Sequence, residues 1–531
     1  MSAVSQSAVS PPAVSRLFPT VMHMFNATVA RVPKREALVC GSERVTYADY
    51  GRAVRGLAIR LRAQLQLDQL PTGERGKQAG EHITLIALCL PNSIEAAIAT
   101  FAIHAAGAAV MPLNPSYTAR ELNEMLVDAA PRLLICTPEL APAIGASWMQ
   151  RWDINVGQGL WRTWLHQDIA ANADVAVQVE PPAPDDIAFV QYTGGTTGRS
   201  KGVLLSHANI AANIAQRDAV LPVDFAAAER VLCVMPLFHC YAMSMGLHLA
   251  VHSGAALVIV PRYRADDVLG IITAERITIF PGSPTIFNGL MAHPQFAAAN
   301  LASVHTCYSG SAALSVETLK RWESATAAPI YEGYGQTEAG PVLTYQFMGE
   351  ARIPGSVGRA LPNTEIQIVD TDDGTRILAD GARGEVRARG PQIMRGYLNR
   401  PDETARALRG GWLYTGDIGE LDHDGVLIIR DRKKDMIISG GYNIYPREVE
   451  DILMQHPMVL DAAVIGKPDD YRGEVVIAFV VTRASIDPSL LAEHCRPQLA
   501  CYKWPAVIEC VDALPKTGAN KTDKKALREL S

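Results

Sequence analysis

"YTGGTTGRSKGV" (192–203) holds four glycines, three threonines, a serine and two cationic side chains between apolar runs. The apolar "DIAFVQY" (186–192) leads into it and reads as a strand. Ser206 follows and opens a helix-like run, "HANIAANIAQ". Glycines at 194, 195 and 198 let backbone amides point into one concavity, and the threonine hydroxyls and Lys201 add donors and charge. Those are the ingredients of an anion nest. By residue type alone, a mobile surface loop fits equally well. The spacing is neither GxxxxGK[ST] nor a GxGxxG after the first strand, so two common phosphate loops are excluded.

Working outward, short apolar runs alternate with helical patterns through the first 340 residues. "HITLIALCL" (82–90) reads as a buried strand and "SIEAAIATFAIHAAG" (93–107) as a helix capped by Ser93. "VLCVMPL" (231–237), "AALVIV" (255–260), "ITIF" (277–280) and "VHTCY" (304–308) read as further strands, with "ADDVLGIITAER" (265–276) as a helix. The alternation predicts α/β architecture with largely parallel strands. After about residue 355 the texture turns β-rich, in "EIQIVDTDDG", "GEVRARG" and "GVLIIRDR". From Tyr445 onward the pattern is that of a small α+β unit. The expected division is a loose tail (1–18), a large domain (19–430), a hinge (431–435) and a C-terminal unit (436–531).

The chain has 531 residues, 48% hydrophobic and 20% charged, which suits a globular protein with a large core. A formal net charge of -6 argues against nucleic acid as a partner. Nine cysteines, odd in number and without a CxxC, point to a reduced, cytoplasmic setting. The N-terminus lacks the basic and apolar regions of a secretory signal. The apolar stretch 83–113 is broken by "PNS" and carries Glu95, His104 and Gly107, so no transmembrane segment is expected.

Four more constellations follow the loop in order. "YEGYGQTE" (331–338) offers a ring, a hydroxyl and a carboxylate: Tyr334, Thr337 and Glu338. "WLYTGDIGELDHDG" (412–425) carries Asp417, expected at a strand start, where it could accept from two ribose hydroxyls. "DRKKDMIISGGYNIYPREVE" (431–450) and "LPKTGANKTDKKAL" (514–527) complete the set. With these motifs in this order over residues 20–530, the chain resembles the adenylate-forming superfamily of acyl-CoA synthetases, aryl-CoA ligases and luciferases.

The resemblance implies a large N-terminal domain and a small mobile lid. It implies an ATP-dependent acyl-CoA ligase that forms an acyl-adenylate, releases pyrophosphate and passes the acyl group to CoA. The alternative is an adenylating enzyme that loads a separate carrier protein. By resemblance, Thr193, Gly194, Gly195, Thr196, Thr197, Gly198 and Lys201 hold the ATP phosphates. Tyr334 stacks on adenine beside Gly310, Ser311 and Ala312, with Gly333 and Gly335 flanking it. Thr337 binds the α-phosphate, Glu338 holds Mg²⁺, and Asp417 and Arg432 take the ribose. Lys521 matches the mobile catalytic lysine, although composition alone would read it as one of four solvated lysines in a basic tail. Asn520 stands where the family usually has glycine. Lys434 matches the hinge position, and Ser439, Gly440, Gly441 and Tyr442 the CoA tunnel.

The acyl pocket implied by the family lies behind "PLFHCYAMSMGL" (236–247). His239 matches its gate; read without the family, it is a core histidine. Tyr241, Ser244, Met245, Phe280, Tyr308, Gly310 and Val342 are the candidate lining, with no evident cation among them. A second, buried substrate carboxylate would then lack a partner. A medium-to-long-chain fatty or an aromatic/alicyclic monocarboxylic acid is therefore expected. A monomer and a homodimer are both compatible with the sequence.

Overall fold

Leu85–Cys89 forms a strand with every residue buried, and Ile94–Ala105 forms the helix after it. Ser93 caps that helix by accepting from the Ala96 amide at 3.1 Å. All residues of the helix are buried, so its unbroken apolarity reflects burial between layers. Among the described residues, no helix is long and apolar enough to cross a membrane. The computed structural model describes residues 14, 17–67, 83–145, 149–165, 181–193, 200–439, 442–469, 472–517 and 521–530. Most of the tail expected at 1–18, Gly194, Gly195, Thr196, Thr197, Gly198, Gly440, Gly441 and Asn520 lie outside the described residues.

Two large sheets carry the N-terminal part. The first is seven-stranded, with Ile187–Thr193 between Lys201–Ser206 and Ala109–Pro112. The second is nine-stranded and includes Thr306–Ser309 beside Ile330–Gly335. The interiors of both are parallel, as the alternating pattern predicts. Antiparallel pairs occur where the connection is short, as from Ile330–Gly335 to Val342–Tyr345 and from Ile187–Thr193 to Lys201–Ser206. A short connection cannot carry the crossover that a parallel pair needs. Helix His207–Val220 starts from a Ser206–Asn209 capping box. It is held to Val342 by Asn213, which donates to the Val342 carbonyl at 2.8 Å and accepts from its amide at 3.1 Å.

Residues 365–432 form an antiparallel five-stranded sheet. Asp417 does not start a strand there. It lies inside Trp412–Leu421, because Gly416 takes a φ of 71° and lets the ladder continue through what reads as a turn.

A second five-stranded sheet is built wholly from residues after 436, with its own core of Ile437, Val449, Leu453, Val464, Val480 and Leu491. Residues 433–436 lie between the last strand of one sheet and the first strand of the next. Asp431 and Arg432 end the strand Leu427–Arg432, held in register by Asp417↔Arg432 and Ile418↔Asp431. All nine cysteines are free.

Candidate active site

The parallel strands Thr306–Ser309 and Ile330–Gly335 end side by side, so the segment 309–313 and Tyr334 lie together at the carboxyl edge of the sheet. Crevices at strand carboxyl ends are where open α/β sheets bind ligands. Ser311 there adopts a φ of 69°, and its buried hydroxyl has no partner among the described residues. A Cβ at Gly310 would come within 2.6 Å of the Tyr241 ring, so only glycine lets the two approach.

Asp417 is the hub. Tyr334 donates its hydroxyl to Asp417 Oδ2 at 2.6 Å, and Arg432 Nε stands 3.0 Å from Oδ1. Asp417 and Arg432 are direct cross-strand neighbours, which explains their pairing. Burial, and then the Asp417 charge, push the Tyr334 hydroxyl well above its usual range. The same carboxylate raises Arg432.

Lys521 reaches this cluster from the C-terminal unit. Its backbone is braced by Thr517, whose amide donates to the Lys521 carbonyl at 2.7 Å. Burial and then Arg432 lower its pKa, while Cys240, Asp417 and Glu338 act in the opposite direction. The same unit is fastened by Lys524 to Glu450 at 2.8 Å and by Arg528 to Asp435 at 2.8 Å. Arg447 donates across the junction to the Ala313 carbonyl at 3.3 Å.

Thr337 is buried with its hydroxyl 3.4 Å from Cys240 Sγ. Next to it, Glu338 accepts from the Tyr397 hydroxyl at 2.9 Å. Among the described residues no three His, Cys, Asp or Glu side chains gather in a metal cluster. Glu338 fits Mg²⁺ as a single carboxylate ligand, the arrangement Mg²⁺ takes when phosphates and water supply its other oxygens. His239 caps the short helix Cys240–Ala242 by accepting from the Tyr241 amide at 3.2 Å. Burial, followed by the Lys521 charge, lowers its imidazole to about 3, so it is neutral at physiological pH.

The structure thus gathers Tyr334, Thr337, Glu338, Asp417, Arg432, Lys521 and His239 around one crevice. Thr193 and Lys201 face each other across the first sheet's hairpin, where Lys201 pairs with Glu403 and lies 5.0 Å above the Tyr397 ring. Glu403 and Tyr397 are not evident from the sequence, since nothing in "MRGYLNRPDE" marks them as partners of residues about 200 and 60 positions away. Ser439 is buried in the hairpin of the C-terminal unit, and Tyr442 is exposed and stacked on Tyr502 at 4.5 Å. Among the described residues, Tyr334 and Arg432 contact Asp417, and Ser439 and Tyr442 do not belong to that cluster.

Tyr241, Ser244, Met245, Tyr308 and Val342 are all buried, and Ser244 and Met245 lie in a π-helical turn, Met243–His248. Phe280 belongs to an aromatic core with Phe287 and Trp322, at ring distances of 5.2 and 5.7 Å. None of the lining residues is a cation, but one from outside the motifs acts on them. Arg217 is buried, and its charge acts on Tyr308. Helix packing brings it there from a segment the motifs do not include.

The AMP-binding enzyme family matches residues 25–398, and its C-terminal domain matches 448–521. The chain belongs to the AMP-binding enzyme family. A long-chain-fatty-acid–CoA ligase of Bacillus subtilis is 36% identical, over 96% of this chain and 94% of that protein. A feruloyl-CoA synthase of Amycolatopsis is 34% identical, over 93% and 96% of the two chains. Among solved structures, an anthranilate CoA ligase in complex with anthranoyl-AMP superposes with a TM-score of 0.85 at 26% identity, over 97% of this chain and 98% of that one. The family's two-part matching agrees with the two separately cored units of the fold.

Proposed function

We propose that this member of the family is an AMP-forming acid–thiol ligase that makes acyl-CoA from a carboxylic acid, ATP and CoA. The cluster of Tyr334, Asp417 and Arg432, on which the Lys521 charge acts, is the observation that carries the reading. In the first step a carboxylate oxygen bonds to the α-phosphorus of ATP and pyrophosphate leaves. In the second the thiol sulfur bonds to the acyl carbon, the C–O bond to AMP breaks, and the thiol proton passes to solvent.

Asp417 has two oxygens to accept from vicinal hydroxyls, with Arg432 beside it to hold its orientation. Tyr334 presents its ring next to that carboxylate, the geometry for seating an adenine over its ribose. Lys521 would neutralise charge building between carboxylate and α-phosphate, a task served by a preorganised cation. Thr337 would donate to the same phosphate, and Thr193, Lys201 and the loop 194–198 would take the leaving pyrophosphate. Mg²⁺ bound at Glu338 would offset phosphate charge. His239, neutral and beside Lys521, would stand between acyl site and thiol path. Gly310, Tyr241, Ser244, Met245, Tyr308 and Val342 would line the acyl site and take a fatty or an aromatic/alicyclic acid. The segment Ser439–Tyr442 would meet CoA after the lid (436–531) turns about Lys434. The free cysteines support a cytoplasmic setting.

The test is an acid panel assayed with ATP, with and without CoA, reading pyrophosphate and thioester separately. Thioester formation with free CoA at catalytic rates is expected. Adenylate that accumulates and discharges only onto a carrier protein would reject the CoA assignment.

A further inference from the structure

Arg217 sits on helix His207–Val220 and is 1% exposed. None of its three guanidinium nitrogens has a hydrogen-bond partner among the described residues. Its position follows from the helix. Asn213, one turn earlier on the same face, holds both backbone groups of Val342. Arg217 lies one turn further along that face. Its charge acts on Tyr345, Tyr308 and His248. The rings of Tyr308 and Tyr345 meet edge-on, with centroids 6.1 Å apart. A Cβ at Gly333 would come within 2.5 Å of the Tyr345 ring, so that tyrosine is pinned in place.

The hydroxyl of Tyr308 and Nε2 of His248 are also buried, with no hydrogen-bond partner among the described residues, while the hydroxyls of Tyr241 and Tyr345 lie beside each other. Of the acids on neighbouring elements, Asp218 faces His252 at 3.2 Å and Glu229 faces His305 at 3.1 Å. Folded proteins rarely leave one buried polar group unpaired, and here a cation and several donors lie together. Tyr241 and Tyr308 also belong to the acyl lining proposed above. We propose that Arg217, with Tyr308 and Tyr345, forms a polar far end of the acyl site that receives a hydrogen-bond-accepting oxygen, ketone or carboxylate, on the distal part of the acid. The proposal rests on the ligase reading. A chain ending in methyl would leave the guanidinium unpaired, and a site built for a polar group discriminates strongly against analogues that lack it.

The experiment compares three acids of equal length over a series of six to twelve carbons: the alkanoate, the acid with a ketone next to its far terminus, and the α,ω-dicarboxylate. The full chain is assayed with ATP, Mg²⁺ and CoA. At the best length, kcat/KM for the keto acid or the dicarboxylate should exceed that of the alkanoate by about 10-fold or more, the scale of a charge-assisted hydrogen bond. A keto preference identifies a neutral acceptor, and a dicarboxylate preference an anion. Arg217→Met should lower the oxygenated-to-alkanoate ratio by about 10-fold or more, and Arg217→Lys should restore part of it. Thioester formed from alkanoates as fast as from both oxygenated acids at every length would overturn the role of Arg217 and leave the ligase reading intact. So would an unchanged ratio in Arg217→Met. If that variant does not fold, the wild-type series decides alone. Pyrophosphate without thioester would reject the CoA reading, and the same ratio would then be read from pyrophosphate release.

Discussion

Replacing Lys521 by alanine separates the two half-reactions. The ammonium group lies in a crevice shared with two carboxylates, Asp417 and Glu338, and one guanidinium, Arg432. Its favourable partners and Arg432 partly offset each other in the resting site. The negative charge that builds between the acid and the α-phosphate has no such offset. Losing one preorganised charge contact of this kind costs about 10²–10³ in rate, or about 2.7–4 kcal/mol. Adenylate formation by Lys521→Ala should fall by that factor. Thioester formation from supplied acyl-AMP should stay near wild type, because Lys521 is proposed to leave the crevice when the lid turns. Single-turnover quench of both half-reactions measures this directly. Equal loss in the two steps would refute the idea that the lysine serves only one lid position. The lowered pKa of Lys521 adds a sign. Only the charged form serves, so wild-type adenylation should decline with rising pH below the ordinary lysine value of 10.5, and the Ala variant should lose that limb.

Lys434→Pro should do the reverse. A fixed φ in the link at 433–436 hinders rotation, so adenylation should persist while thioester formation slows, and unaltered thioester kinetics would refute the hinge. Tyr334→Phe removes the hydroxyl held 2.6 Å from Asp417. The KM for ATP should rise about 10-fold, the scale of a hydrogen bond to a charged group. A loss confined to kcat would speak against an ATP-positioning role. Glu332 is buried, accepts from the Leu314 amide at 2.8 Å, and has its pKa raised by burial to about 8 from 4.5. Between those values the folded chain binds the proton that the unfolded chain releases, so stability is greatest at the acid end and falls as pH rises. The midpoint of thermal unfolding should therefore drop from pH 5 to pH 8 more steeply in the wild type than in Glu332→Gln, and parallel slopes would contradict the assignment.

Much of this protein is legible in local chemistry. The strand Leu85–Cys89 and its capped helix follow from an apolar run, a serine and a glycine, all neighbours in the chain. The parallel sheets follow from the alternation of such units, and the reading of Asp417 and Lys521 as site residues follows from the order of the motifs that contain them. Local signals also misled where a turn residue serves inside a ladder. Gly416 reads as a strand boundary and is a bend within Trp412–Leu421. Arg432, grouped with Asp417 by its motif, is also its direct strand partner. Tertiary structure alone decided which distant groups meet. Tyr397 reaches Glu338, Glu403 reaches Lys201, and the packing of a helix on a sheet lets the Arg217 charge act on Tyr308 and Tyr345. Periodicity marks which face of an element is buried, but not which other element that face will touch. A buried arginine in an otherwise ordinary helix therefore becomes visible only once the layers are assembled.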